Sequence, residues 1–253
     1  MTDRVGKQMK NMRLDKYLAD MKVGTRSEVK SLIRKGRIAV NGETEKDPGR
    51  KIGEEDAVLF DGNLLTYETY EYLMLNKPAG VISATEDPRQ ETVIDLLGEG
   101  HRKDLFPVGR LDIDTVGLLL ITNDGELSHR LLSPKRHVDK TYYARLDGIV
   151  TEEDVCAFQA GLEVDEELTA QPAELRILSI SEPEHTSEAE VTIREGKFHQ
   201  IKRMFSAVGK EVVYLKRIRM GSLILDPDLP EGEYRPLKEA ELEVLLEETN
   251  MGR

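Results

Sequence analysis

The sequence contains a single cysteine, Cys156, and no apolar run that approaches the roughly 20 residues needed to cross a bilayer. One cysteine excludes an intramolecular disulfide, which favours a reducing, cytoplasmic setting. The N-terminus lacks the charged, apolar and small-residue regions of a secretory signal, so we expect no membrane partner. With 39% hydrophobic and 33% charged residues among 253, the composition is typical of a soluble globular protein.

Several motifs of known chemistry are also missing. The five histidines show no His-x-x-x-His spacing and there is no Cys-x-x-Cys pair, so the sequence predicts no metal site. Neither a Gly-x-x-x-x-Gly-Lys-Ser/Thr loop nor a Gly-x-Gly-x-x-Gly fingerprint occurs, and nucleotide cofactors therefore have no support. Counting residues does not exclude a Ser, His and Asp constellation, but no Gly-x-Ser-x-Gly elbow is present.

The charge is distributed unevenly along the chain. A net charge of −12 is unfavourable for binding a polyanion. Yet residues 1–37 hold eleven Lys and Arg against four Asp and Glu, residues 129–145 hold five against one, and residues 194–219 hold eight against two. Residues 151–191 hold one basic residue against twelve acidic ones. Three basic blocks favour nucleic-acid binding, although each could be an ordinary solvated surface.

The N-terminal part predicts a small domain over residues 12–60, preceded by a flexible arm over residues 1–11. Leu14, Tyr17 and Leu18 have helical spacing, and Thr25 with Glu28 forms a capping-box pattern at the start of a second helix. Short strands with Asn-Gly and Asp-Gly turns follow. The second helix is cationic, through Arg26, Lys30, Arg34 and Lys35.

The rest of the chain predicts a linker over residues 61–70 and a second domain over residues 71–250. Strands are expected in "YLMLN", "GVIS", "TYYARLDGIV", "AELRILSI", "AEVTIREG" and "VVYLKRIRMGSL", and helices in "GELSHRLLSP", "EEDVCAFQAGL", "KFHQIKRMFSAVG" and "LKEAELEVLLEE". Frequent strands with fewer helices, not in βα alternation, predict an α+β fold with a mixed, mostly antiparallel sheet.

Three carboxylates flank the apolar run "GLLLI", which predicts a buried strand. Asp112 and Asp114 precede it, and in an extended segment they would point to the same face. Asp124 follows it, at the start of a predicted helix. Side chains of this type are often turn formers and helix caps, and spacing alone leaves that alternative open for all three.

A helix from about Phe198 would bury Ile201, Met204 and Phe205 and present cations to phosphates or to a carboxylate. A solvated helix face is the alternative. Tyr142 and Tyr143 are successive in a predicted strand and so face opposite ways, one into the core and one available to stack on a base.

Taken together, these segments resemble a known family. "LNKPAGVISA", "GRLDIDTVGLLLITNDGELSHRLLSP", "KTYYARL" and "GKFHQIKRMFSAVG" look, in this order, like the motifs of the bacterial ribosomal pseudouridine synthases of the RsuA group. "MRLDKYLADMKVGTRSEVKSLIRKGRIAVNG" is similar to the S4 RNA-binding domain that this group carries. The resemblance covers nearly all of residues 12–248. It implies an S4 domain followed by a pseudouridine synthase domain that needs no cofactor or metal.

The resemblance also assigns roles to individual residues. It implies that Asp112 is catalytic, that Tyr142 lies against the target base, and that Lys202 accompanies the aspartate. Many pseudouridine synthases have arginine at the position of Lys202. Lysine keeps the positive charge but cannot donate two parallel hydrogen bonds as a guanidinium group does. The predicted RNA contacts are Arg26, Lys30, Arg34, Lys35, Arg110, Lys197, His199 and Arg203.

The reaction implied is the isomerisation of a uridine in rRNA after it leaves its stack. The form of the "LNKPAG" and "GRLDIDT" motifs favours small-subunit (16S) rRNA. A large-subunit (23S) enzyme and a non-catalytic S4-type RNA-binding protein are the alternatives. One uridine site per chain requires no dimer, so we expect a monomer. Asp112 should face a basic, tyrosine-lined cleft with Lys202 in reach, whereas Asp114 should be a turn residue and Asp124 a helix cap.

Overall fold

The computed structural model describes residues 12–21, 23–53, 55–65, 70–133 and 136–250. The chain divides into two compact units, Met1–Glu71 with Gly100–Lys103, and Tyr72–Glu99 with Asp104–Arg253. The arm expected over residues 1–11 lies outside the described residues. Across the described part, none of the helices has the length and apolar character that a membrane crossing requires.

The first unit combines two helices with short strands around its own core. Its elements are β1 Met12–Arg13, α1 Leu14–Asp20, α2 Arg26–Arg34, β2 Ile38–Val40, β3 Glu43–Thr44, β4 Lys51–Ile52, β5 Val58–Phe60 and β6 Asn63–Leu65. The predicted helical stripe of Leu14, Tyr17 and Leu18 is buried, together with Val29 and Ile33 of α2. Strand β6 pairs with β5 inside the segment expected as a linker.

Local sequence signals place the ends of these elements. Thr25 Oγ1 accepts a hydrogen bond from the amide of Glu28 at 3.3 Å, and Glu28 Oε2 accepts one from the amide of Thr25 at 2.8 Å, which confirms the capping box. At the Asn-Gly turn, Asn41 and Gly42 both have positive φ, as a tight hairpin turn of the I′ type requires.

The second unit holds the larger sheet. Its elements are β7 Tyr72–Lys77, a 3₁₀ helix Asp95–Leu97, β8 Phe106–Pro107, β9 Val116–Thr122, α3 Gly125–Leu132, β10 Lys140–Asp147, α4 Glu152–Ala160, β11 Leu162–Asp165, β12 Leu168–Ala170, β13 Glu174–Ser181, β14 Thr186–Ile193, α5 Gln200–Ala207, β15 Glu211–Met220, β16 Leu223–Ile224, β17 Tyr234–Pro236 and α6 Glu239–Asn250.

Nine strands of the described residues form the sheet in the order β13-β14-β10-β15-β9-β7-β17, with β16 on β15 and β8 on β9. Among the described residues, the pair β15–β9 is parallel and every other pair in this sheet is antiparallel. The α+β class and the mixed, mostly antiparallel sheet are therefore confirmed. Strands β11 and β12 form a separate two-stranded hairpin.

Gly117 allows β9 to approach β15 closely. Its φ is +100°, and a Cβ atom there would lie 2.3 Å from the carbonyl oxygen of Arg217. Only glycine fits such an approach. In the register of the sheet, Gly117 lies beside Arg217 and Arg217 lies beside Tyr142. The turn that precedes β9 is thereby brought to the middle of the sheet.

Two sequence-based expectations about local structure were wrong. "GVIS" is not a strand, because Ile82 forms only an isolated bridge with Thr92. The helix expected to reach Leu162 ends at Ala160, because Gly161 has a φ of +90° and a Cβ there would lie 3.0 Å from the carbonyl of Ala170. The chain then enters β11, which the sequence pattern had not indicated.

Candidate active site

Asp112 and Asp114 lie in a turn and not in an extended segment. The amide of Thr115 donates to the carbonyl of Asp112 at 3.1 Å, which closes the turn. The expectation that alternation along a strand aligns the two carboxylates is therefore wrong. The turn just before the fully buried strand β9 brings the two carboxylates together instead.

Lys77 holds this turn from inside the protein. It ends β7, has no exposed surface, and its Nζ donates to the carbonyls of Pro78 at 2.9 Å, Asp112 at 3.1 Å and Thr115 at 3.0 Å. Burial lowers the pKa of Lys77 to about 8, against the opposing influence of Asp114 and Asp112. Sequence reasoning missed this residue, although a lysine that ends an apolar strand before proline was visible in "YLMLNKP".

Lys202 lies between the two carboxylates of the turn. Its Nζ is 3.4 Å from Oδ2 of Asp112 and 2.5 Å from Oδ1 of Asp114. The hydrogen bond from Lys202 is the main reason why the pKa of Asp114 is lowered. Lys202 thus lies within reach of Asp112, as expected, but its shorter contact is with Asp114, whose part in this ion pair the sequence did not reveal.

His199 lies on the other side of Asp112. Its Nε2 is 3.7 Å from Oδ1 of Asp112, and its backbone adopts the left-handed conformation with a φ of +49°. His199 directly precedes α5, whose apolar side chains Ile201, Met204 and Phe205 are buried as predicted. Burial of Ile201 therefore fixes the next residue, Lys202, beside the turn.

One cavity brings together most of the predicted site residues of the second unit. Tyr142 is buried in its wall, and the apolar side chains of Leu111, Ile193, Ile201 and Leu215 line it as well. The predicted residues that line it are Asp112, Tyr142, Lys202, Arg110, Lys197 and His199. Tyr143, its neighbour in β10, packs instead edge-on against Tyr214, with ring centroids 6.1 Å apart.

Two of the predicted RNA contacts, Arg203 and Lys197, donate side-chain hydrogen bonds to protein groups. Arg203 Nε donates to Oδ2 of Asp165 at 2.9 Å, which ties α5 to β11. Lys197 Nζ donates to the carbonyl of Thr169 at 2.8 Å. An RNA phosphate would have to compete with these partners, whereas the side chain of Arg110 is exposed at the cavity.

Helix α2 of the first unit exposes the other predicted contacts. Arg26, Arg34 and Lys35 are exposed, and Lys30 is half-buried with its Nζ 3.9 Å from Oδ2 of Asp15. Asp124, expected as a cap, accepts hydrogen bonds at 3.0 Å from the amides of the first turn of α3. In the part of the chain that the structure describes, no group of three or more His, Cys, Asp or Glu could hold a metal ion.

Comparison with known proteins decides the family. The family model described as RNA pseudouridylate synthase matches residues 71–207, and the model of the S4 domain matches residues 12–58. The chain belongs to the RNA pseudouridylate synthase family. It is therefore an RNA pseudouridine synthase, an isomerase of uridine, with an S4 domain at residues 12–58. The resemblance drawn from the sequence motifs is confirmed.

Individual relatives of this pseudouridine synthase match almost end to end. An uncharacterized RNA pseudouridine synthase of Bacillus subtilis is 47% identical over 238 residues, which are 93% of this chain and 99% of the relative. Ribosomal small subunit pseudouridine synthase A of Escherichia coli is 41% identical over 233 residues, 91% of this chain and 98% of the relative. A crystal structure of a pseudouridylate synthase, 40% identical, superposes with a TM-score of 0.64 and covers 92% of this chain and 99% of that one.

Proposed function

We propose that this enzyme isomerises a specific uridine of 16S rRNA to pseudouridine and that Asp112 is its catalytic carboxylate. The observation that carries the proposal is the place of Asp112 in a cavity wall with Tyr142, with Lys202 at 3.4 Å and His199 at 3.7 Å. The 41% identity to ribosomal small subunit pseudouridine synthase A over 91% of the chain supports the choice of small-subunit rRNA.

The reaction exchanges one bond for another without an outside reactant. The bond between N1 and C1′ of uridine breaks, the uracil turns, a bond forms between C5 and C1′, and the C5 proton leaves while N1 gains one. Asp112 can attack C1′ as a nucleophile or remove a proton from the sugar during elimination, and both routes lead to the same product. Lys202 places a positive charge beside the carboxylate that stabilises its negative charge.

The cavity wall also favours a base that has left its stack. A uridine in a folded RNA reaches a recessed carboxylate only if it is turned out, at a cost of a few kcal/mol. Tyr142 and the apolar side chains around it offer the flipped uracil a surface that excludes water. Tyr142 lines the same cavity as Asp112, where it can position the base and assist removal of the C5 proton.

The test compares unmodified 16S and 23S rRNA transcripts labelled with tritium at C5 of uridine. The wild-type enzyme should release tritium from the 16S transcript, and Asp112→Asn should release none while it still binds RNA in a filter assay. Asp114→Asn is the matched control, since it changes the neighbouring carboxylate on the same lysine and should keep turnover. Full turnover by Asp112→Asn would refute the role of Asp112, and release only from 23S rRNA would refute the small-subunit assignment.

A further inference from the structure

Phe198 has the most exposed large hydrophobic side chain in the described part of the chain, at 72%. Its ring stacks on the ring of His199, with centroids 3.8 Å apart and an angle of 17° between the planes. A single exposed hydrophobic side chain is ordinary on a protein surface. The position of this one is not ordinary, because its stacking partner lies 3.7 Å from Asp112.

The neighbours of Phe198 locate it at the rim of the cavity. Lys197 and His199 both line the cavity, whereas Phe198 is not among its lining residues. The phenyl ring therefore stands just outside the space that holds Asp112. A nucleobase inside the cavity would meet Tyr142, and the ring of Phe198 would meet the nucleotide that comes next along the RNA strand.

The ring pair presents one free face. One face of Phe198 is covered by His199, and the high exposure of the side chain leaves the other open. An aromatic ring with a free face stacks on any base, because every base has a π surface. A uridine that turns out of its strand leaves its neighbour without a stacking partner. The free face of Phe198 is placed to replace that partner.

We propose that Phe198 is a positioning residue on which a nucleobase flanking the target uridine stacks. The inference rests on the proposed function of Asp112 and adds a second base-binding position to it. Stacking of this kind does not depend on base identity, so Phe198 stabilises the opened strand and leaves the choice of uridine to other contacts. Phe198 also keeps its neighbour His199 from solvent on one side, and the experiment separates the two roles.

The experiment measures kcat/KM for tritium release from a mixture of 16S and 23S transcripts labelled at C5 of uridine. Phe198→Leu keeps an apolar side chain without a ring and should lower kcat/KM about tenfold, the loss typical of one stacked base. Phe198→Tyr keeps the ring and should restore the wild-type value. Ile224→Ala, which changes a side chain that is 64% exposed, is the matched control and should have no effect.

A second comparison uses His199→Ala as the background. If Phe198 acted only by covering His199, Phe198→Leu would have no further effect once His199 is alanine. If Phe198 stacks on a base, Phe198→Leu should still lower kcat/KM in that background, by a factor that can differ from the one with His199 present because the two rings are in contact. Loss of the effect in the His199→Ala background, or wild-type kcat/KM for Phe198→Leu, would overturn the inference while leaving Asp112 in place. Absence of tritium release by the wild-type enzyme would instead overturn the proposed function and this inference with it.

Discussion

Helix α2 of the S4 domain and the candidate active site of the synthase domain are both rich in cations, but the cations have different surroundings. On α2, Arg26, Arg34 and Lys35 are exposed to solvent. In the synthase domain, Lys77 is buried behind the turn of Asp112 and donates to three backbone carbonyls within 3.1 Å, and Lys202 at the cavity pairs with two carboxylates. Similar residue types therefore face solvent in one region and are bound by groups of the protein itself in the other.

This difference separates two kinds of energetic contribution. An exposed cation adds about 0–1 kcal/mol to the free energy of unfolding. Its main contribution is to the affinity for a polyanion. A buried cation that satisfies carbonyls is costly to remove, because each buried carbonyl left without a donor costs roughly 1–3 kcal/mol. Charge density along the sequence does not tell the two apart, whereas the partners of each side chain do.

The largest effect is expected for Lys77→Met. The variant removes the ammonium donor from the carbonyls of Pro78 and Thr115 and leaves the carbonyl of Asp112 with the amide of Thr115 alone, so the free energy of unfolding should fall by roughly 3 kcal/mol. Turnover should also fall, because the turn that holds Asp112 loses its anchor. Denaturant unfolding and tritium release measure the two effects. Lys216→Met, a half-buried lysine 3.8 Å from Glu231, is the control and should change stability by less than about 1 kcal/mol. Equal stability of both variants would contradict the anchoring role.

A smaller loss of stability but a clear loss of activity is expected for Lys202→Met. Removal of its charge from beside Asp112 should lower kcat about 100-fold, in the range found when one electrostatic contact to a reacting group is lost. Lys202→Arg keeps the charge and should retain much of the activity. The measurement is single-turnover tritium release at saturating enzyme, and equal rates for the Met variant and the wild type would show that the ion pair does not serve the reaction.

The smallest effect on turnover is expected on α2. The combined change Arg26→Gln, Arg34→Gln and Lys35→Gln should weaken rRNA binding. If each cation contacts one phosphate, the magnitude of the slope of log K against log salt concentration should fall by about 2. The free energy of unfolding and kcat at saturating RNA should stay near the wild-type values. Filter binding over a range of salt concentrations tests this, and an unchanged slope would exclude α2 from the RNA interface.

Local features of the fold were predictable from the sequence because they depend on residues a few positions apart. The capping box of Thr25 and Glu28 and the hairpin turn at Asn41 are examples, and both have the expected geometry. The prediction of a strand at "GVIS" was wrong, because this segment is irregular and forms only one isolated bridge. Propensity over four residues cannot distinguish these outcomes.

The candidate active site was predictable only in part. Motif resemblance brought Asp112, Tyr142 and Lys202 together, and all three line one cavity. Spacing alone could not do so, because their proximity depends on the pairing of β9 with β15. Lys77 escaped notice because lysines in strands usually face solvent, and the contact of Asp114 with Lys202 depends on a turn that alternation does not describe.

The parallel pairing of β9 with β15 also has a kinetic consequence. It places Val116 beside Lys216, so a long loop of chain must be closed before the two strands can join. Contacts this distant in sequence slow folding, because the entropy of loop closure is lost before they form, and we expect this pair to form late. Helix α5 lies within that loop, directly before β15, and so the lysine that pairs with Asp112 arrives when the sheet is completed. A partly folded chain would hold the carboxylates without their cation, so if the pair serves the reaction as proposed, we expect turnover to appear together with the native sheet.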